Sequence, residues 1–198
     1  MDWLKKIDPD SVDLVYLDPP FFTQKVQKSK TRDNSQEYCF SDTWTHIEEY
    51  KAFLKVRIEQ CKRVLKNTGS IFVHCDSSAS HHIRLILDEL FGSENFQSEI
   101  IWAYKRWSNA KRGLLNAHQT IYFYSKSNTF KFNVIHTQYS PTTNIDQILQ
   151  QRERDKHGKS AYKKDDQGRA ILGKAKCGVP LSNVWEIPYL NPIASERT

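Results

Sequence analysis

The run VDLVYLDPPF, residues 12–21, constrains this chain more than any other stretch. Val12, Val15 and Tyr16 supply the β-branched and aromatic residues that strands favour. Asp18-Pro19-Pro20 then ends the strand, because proline has no N–H to give a sheet ladder. In open α/β sheets function collects at the carboxyl ends of strands, and Asp18 lies at such an end. Pro19 and Pro20 fix the backbone there and leave its carbonyls to point at a ligand, while Phe21 offers a flat face beside the carboxylate. Two acceptors next to a stacking surface suit a planar heterocycle with an exposed amino group. Taken alone, the same four residues serve equally well as an ordinary strand-ending turn, with Asp18 as a cap and the phenylalanines in the core.

The pattern beyond this turn is that of an α/β protein. Residues 2–8 read as the last turns of a helix ending before Pro9, and residues 23–38 as a polar loop without periodicity. Ile47, Tyr50, Leu54, Ile58, Cys61, Val64 and Leu65 recur at helical spacing. Asn67-Thr68-Gly69 is expected to stop that helix, with the glycine in a left-handed cap. Residues 70–75 form a short buried strand, and 77–92 a helix opened by serine caps and closed at Gly92. Residues 96–105 and 117–127 add two strands. This order predicts half of a mostly parallel sheet with an antiparallel strand at one edge. The character changes beyond Asn128, which predicts domains at 1–128 and 129–198.

Charge singles out the second of these. The chain carries a formal net charge of +6, and residues 151–176 hold nine Lys and Arg against four Asp and Glu. Such a segment is either a solvated loop or a surface for a polyanion, since phosphate contacts release counterions. Lys163, Lys164 and Arg169 there, and Lys105, Arg106, Lys111 and Arg112 after a strand's carboxyl end, are the candidate phosphate contacts. The four cysteines (Cys39, Cys61, Cys75, Cys177) form no C-x-x-C pair and read as free thiols. No metal site is expected. No apolar run is long enough to span a membrane and no secretory signal is visible, which predicts a cytoplasmic protein. His74 reads as a hydrogen-bonded structural histidine and Trp44 as packing for the loop after the turn. His81 and His82, adjacent on a helix, are expected to face apart.

The stretch SVDLVYLDPPFFTQ, followed by FSDTW (40–44), by RVLKNTGSIFVHCDSSASHHIRLILDELFG (63–92) and by NAHQTIYFYSKS (116–127), resembles the amino-methylating DNA methyltransferases. The similarity is to their permuted β-type group, in which the D-P-P-[FYW] motif precedes the cofactor motifs, and it covers residues 3–127 in order and spacing. It implies a partial Rossmann-like methyltransferase sheet, the catalytic half, followed by a variable target-recognition region. It implies S-adenosylmethionine as methyl donor, double-stranded DNA as partner, and the exocyclic amine of adenine or cytosine as acceptor, with adenine favoured because D-P-P is commoner among the family's adenine enzymes and S-P-P among its cytosine ones. Asp18, Pro19, Pro20 and Phe21 are then the catalytic residues, and Asp18 and Phe21 also border the cofactor.

No F-x-G-x-G turn, which such enzymes use to admit the cofactor, occurs in the sequence, and LFGSENF has one glycine in the wrong context. The expectation is therefore a split or truncated enzyme completed by a subunit carrying that motif, or a homodimer. A non-catalytic DNA-binding protein descended from such an enzyme is the alternative. Methylation of an RNA guanine or a protein glutamine is set aside, because those relatives carry the cofactor motif upstream.

Overall fold

A computed structural model of the chain describes residues 2–30, 35–105, 112–140, 142, 144–174 and 178–188. Its elements in chain order are α1 (Asp2–Lys5), β1 (Val12–Leu17), β2 (Lys25–Lys30), β3 (Glu37–Asp42), α2 (Ile47–Val64), β4 (Leu65–Cys75), α3 (Ser80–Phe91), β5 (Phe96–Ala103), β6 (His118–Ser125), β7 (His136–Thr137), α4 (Ile145–Leu149), β8 (Arg152–Arg154), β9 (Ser160–Tyr162), β10 (Val179–Pro180) and β11 (Val184–Glu186). The chain divides into two compact units, one of residues 1–132 with 183–198 and one of residues 133–182.

The first unit is an α/β layer. Its sheet runs β1-β4-β6-β5-β11, with β1 parallel to β4, β5 parallel to β11, and β6 antiparallel to both neighbours. The antiparallel strand is thus interior and not, as the sequence suggests, at an edge. β6 runs back beside β5, and it pairs on its other side with β4 along six residues.

One face of the sheet is covered by α2 and α3. Tyr50, Leu54, Ile58, Cys61 and Val64 line the buried side of α2, and Ile83, Ile86, Leu87 and Phe91 that of α3. All but Val64 share one core cluster with Ile71, Val73 and Cys75 of β4 and Tyr122 and Tyr124 of β6. Each fully buried aliphatic side chain contributes about 1.5–3 kcal/mol. Glu48 and Glu49 in the first turn of α2, and Lys62 and Arg63 in its last, complement the helix dipole.

Three local expectations fail for physical reasons. Residues 23–38 are not a featureless loop: β2 pairs antiparallel with β3 from Lys25↔Asp42 to Lys30↔Glu37. Gly69 does not cap α2. The helix ends at Leu65, whose extended backbone begins β4 at once while its N–H still reaches the Cys61 carbonyl. Finally, α3 opens at Ala79 without a side-chain cap, because the nearby carboxylate of Asp76 is spent on the Ser78 N–H and hydroxyl. Gly92 does close that helix, at φ +90°.

In the second unit, β8 and β9 form a ribbon, and residues 163–164 pair onward with 170–171. Its tight turns repeat one design. Asp155 Oδ1 accepts the His157 and Lys159 N–H groups, and Asp165 Oδ1 those of Gln167 and Arg169. Among the described residues no helix is long and apolar enough to cross a membrane.

Candidate active site

Alternation along strands decides which side chains meet. Leu14, Tyr16 and Asp18 share one side of β1 and its extension, since strand side chains repeat every second residue. Tyr16 stands opposite Phe72 in the parallel register, so the next same-side pair is Asp18 and His74. His74 faces Ile121 across β4 and β6, and Trp102 faces Gln119 across β5 and β6. Asp18, His74, Gln119 and Trp102 therefore form a row across four strands, on the sheet face opposite the helices. It lies at the carboxyl ends of β1, β4 and β5.

Contacts along the row are direct. Asp18 Oδ1 lies 3.2 Å from His74 Nδ1, and His74 Nε2 lies 2.8 Å from Gln119 Oε1. The edge of Phe21 meets the imidazole at 5.1 Å between centroids and 76° between planes, and Trp102 and Tyr16 flank it at 5.7 and 6.5 Å. His74 is 7% exposed, whereas the Asp18 side chain is 60% exposed. The row thus holds a buried ring behind an accessible carboxylate. Burial, and then the Asp18 charge, push the Tyr16 hydroxyl above its ordinary range.

The turn itself is clamped from behind. Tyr50 donates its hydroxyl to the Pro20 carbonyl at 2.8 Å. The Asp42 carboxylate accepts the N–H groups of Phe22 and Thr23, the Thr23 hydroxyl and the Trp44 indole N–H. Burial raises the Asp42 carboxyl, but those donors more than offset it and leave it below its ordinary value. Gln24 closes a two-way amide clasp with the Trp44 backbone. Phe22 and Gln24 both hold positive φ, 62° and 58°, a strain of order 1–3 kcal/mol each for residues other than glycine. The clamp is what sustains it.

The four motif residues Asp18, Pro19, Pro20 and Phe21 are thus brought together, with one revision. Pro20 does not turn its carbonyl to a ligand, because Tyr50 occupies it. The Pro19 carbonyl accepts no hydrogen bond from the described residues. His74 is hydrogen-bonded, as its residue type foretold, through Nε2 to Gln119, and its Nδ1 lies within ion-pair distance of Asp18 itself. Trp44 packs against Tyr50 and Phe53. His81 and His82 do not face apart; their rings lie 4.0 Å from one another. Among the described residues no cluster could hold a metal ion.

The basic candidates fall in separate places. Lys105 and Arg112 are exposed in the first unit, and Arg106 and Lys111 lie outside the described residues. Lys163, Lys164 and Arg169 are exposed on the second unit, where Arg169 also pairs with Asp165 at 3.1 Å. Cys39 is an exposed free thiol and Cys61 and Cys75 are buried ones, with Cys177 outside the described residues. Tyr50, Asp42, Gln119 and Trp102 were not marked as site residues by the sequence. Their roles depend on strand register and on a clamp closing over some twenty residues or more, and neither leaves a local motif.

Residues 12–198 match the family model described as DNA methylase, of the N6/N4 type. The type II methyltransferase M.HinfI of Haemophilus influenzae is 33% identical over 158 residues, covering 75% of this chain and 42% of that protein. The type II methyltransferase M.KpnI of Klebsiella pneumoniae is 31% identical over 125 residues, covering 63% of this chain and 29% of that protein. The matched part of the chain therefore spans less than half the length of each of these relatives. Among solved structures, the cytosine-N4-specific PvuII DNA methyltransferase aligns over 97% of this chain and 56% of its own, at 15% identity and a TM-score of 0.47.

Proposed function

The chain belongs to the N6/N4 DNA methylase family, and we propose that it is the catalytic and target-recognition part of a site-specific enzyme that methylates an exocyclic amine in DNA, adenine N6 in particular. The observation that carries this reading is the accessible Asp18 carboxylate at the end of β1, beside Phe21 and the Pro19 carbonyl, on a turn clamped by Tyr50 and Asp42. An aspartate rather than a serine heads the turn, which favours adenine.

The methyl donor of the family is S-adenosylmethionine, which supplies an electrophilic methyl group on a positively charged sulfonium. The residues present fit that end of it. Asp18 offers a carboxylate with no Lys or Arg partner among the described residues, and Phe21 offers an aromatic surface, a pairing that favours cations. The chain's seven glycines form no G-x-G turn. The remaining cofactor contacts are assigned to polypeptide beyond these residues, whether a continuation, a complementing subunit or a second copy. β1 supports this. It pairs only with β4 among the described residues, and Leu14 and Tyr16 are each 57% exposed. A free strand edge beside apolar surface is one that proteins normally cover.

The chemistry follows from the turn. The lone pair of an aromatic amine is delocalised into its ring, so the amine is a poor nucleophile. Asp18 and the Pro19 carbonyl accept its two N–H groups and localise that lone pair toward the methyl carbon. Asp18 would then take up the proton that the amine sheds as its new bond to carbon forms and the carbon–sulfur bond breaks, its electron pair leaving with a neutral thioether. Positioning and fixed electrostatics supply most of such a rate gain. An amine paired inside a duplex is out of reach, so the base swings out and stacks on Phe21. Residues 133–182, with Lys163, Lys164 and Arg169, are assigned to target recognition, and Lys105, Arg106, Lys111 and Arg112 to phosphates.

Expression in a methylation-free bacterial host, followed by mass spectrometry of the digested DNA, tests this. N6-methyldeoxyadenosine that disappears with Asp18→Ala supports it, and N4-methyldeoxycytidine would move the substrate to cytosine. Neither base, with DNA binding kept and a complementing glycine-motif chain supplied, would favour a non-catalytic DNA-binding protein.

A further inference from the structure

Among the described residues, His74 is the buried titratable side chain in contact with Asp18, and its protons can be counted. A carboxylate carries only lone pairs, so the 3.2 Å approach of Asp18 Oδ1 is a hydrogen bond only if Nδ1 holds the hydrogen. A neutral imidazole has one N–H. With that hydrogen on Nδ1, Nε2 presents a lone pair and needs a donor.

Its partner at 2.8 Å is the Gln119 amide, which presents Oε1 to it. The oxygen and nitrogen of such an amide exchange places by a half-turn of the last torsion. Gln119 makes no other side-chain hydrogen bond among the described residues, so either orientation is open to it. With nitrogen inward the ring is the neutral Nδ1–H tautomer, and with oxygen inward it is the doubly protonated imidazolium. In both, Nδ1–H points at Asp18. The tautomer protonated on Nε2 alone would set the bare Nδ1 against a carboxylate oxygen.

We propose that His74 is a positioning residue, donating from Nδ1 to Asp18 Oδ1 and fixing the plane of that carboxylate so that Oδ2 faces the substrate amine. Two observations separate this from ordinary core hydrogen bonding. The 3.2 Å contact joins a ring that is 7% exposed to a carboxylate side chain that is 60% exposed, so a buried group sits against the inner oxygen of an accessible one. The ring is also walled by Phe21, Trp102 and Tyr16, which holds it in the row and limits water as a substitute partner for either nitrogen. Gln119 sets the ring's orientation from the far side. The purpose of the arrangement rests on the amine-methylation reading, but its test does not.

Long-range proton–nitrogen correlation spectra of the full chain, labelled with nitrogen-15, read the state of each imidazole. The His74 signals are assigned by their loss in His74→Asn. The expected signature is a protonated Nδ1, as the neutral Nδ1–H form or the imidazolium, replaced in Asp18→Ala by the Nε2–H tautomer as Gln119 Oε1 becomes the only strong partner. A His74 protonated on Nε2 alone in the unmodified chain, or a signature that Asp18→Ala leaves unmoved, overturns the proposal. In the methylating assembly, His74→Leu is expected to lower kcat at least tenfold with little change in KM for DNA. His74→Asn, whose amide nitrogen sits near the place of Nδ1, is expected to recover part of that loss. Equal loss in both variants, or none in either, also overturns it. A protonated Nδ1 in a chain that methylates nothing under reconstitution would count against the methylation reading and not the pairing. The Nε2–H form in an active enzyme would do the reverse.

Discussion

Tyr50 donates its hydroxyl to the carbonyl of Pro20 across 2.8 Å, so the helix that follows the β2–β3 ribbon grips the turn that precedes it. Burial drives the Tyr50 hydroxyl far above its ordinary range, which keeps it a donor at neutral pH. Tyr50→Phe leaves the carbonyl without this partner while keeping the ring against Phe22 and Trp44. The expected cost is about 1 kcal/mol in urea unfolding. Methylation by the reconstituted enzyme should fall more than that loss explains, because Asp18 lies two residues away.

Asp42 links the turn to acid stability. Its folded carboxyl lies below the ordinary value of 3.8, held there against burial by Thr23, Trp44 and Phe22. A depressed carboxyl contributes stability that is fully present above its unfolded value and is lost as pH falls through the folded one. Asp42→Asn should therefore destabilise the chain by about 1–3 kcal/mol at pH 7. The deficit relative to the unmodified chain should shrink below pH 4, which unfolding curves at a series of pH values measure. A deficit that is constant with pH would mean that the charge contributes nothing.

DNA binding by the second unit should be a salt effect. Each phosphate neutralised adds about 0.9 to the slope of log affinity against log salt. Removing Lys163, Lys164 and Arg169 together as glutamines should thus flatten that slope by up to about 3. Arg169 should contribute least, because Asp165 already holds it. Fluorescence anisotropy of a labelled duplex between low and moderate salt reads the slope.

Thiol chemistry should report the fold directly. Burial, followed by the charges of Asp76 and Glu99, pushes the Cys75 thiol up to about 12, and burial also raises Cys61. In a Cys177→Ser background at pH 8, a disulfide reagent should label one thiol quickly, that of exposed Cys39. Two more should react only as the protein unfolds. Rapid labelling of all three would show that the layer between α2, α3 and the sheet opens easily.

Much of the first unit was legible because its signals are local. Two prolines stop β1 wherever they stand, and the apolar spacing from Tyr50 to Val64 permits one buried helix face. The β2–β3 ribbon was not legible, since KVQKSK and EYCFSD alternate without burying a face and Val26, Tyr38 and Phe40 are each more than half exposed. Gly69 misled because glycine after a helix usually marks a cap, whereas here a Cβ would meet the Asp13 and Lys66 carbonyls at 3.0 Å and the residue serves close packing. At the site, Asp18 announced itself through its motif. His74, Gln119 and Trp102 became a row only through the registers of β1, β4, β6 and β5, and register is settled by whole-strand pairing that no single residue reveals.

The 133–182 unit leaves the sheet domain after Phe132 and rejoins it at Asn183, whose carbonyl and side-chain amide bond the β5 backbone as β11 begins. Both of its ends are fastened to the same scaffold. In evolutionary terms such an insert is a cassette. On the proposed reading, exchanging or lengthening it while keeping Asp18 and its clamp would change the address without changing the chemistry.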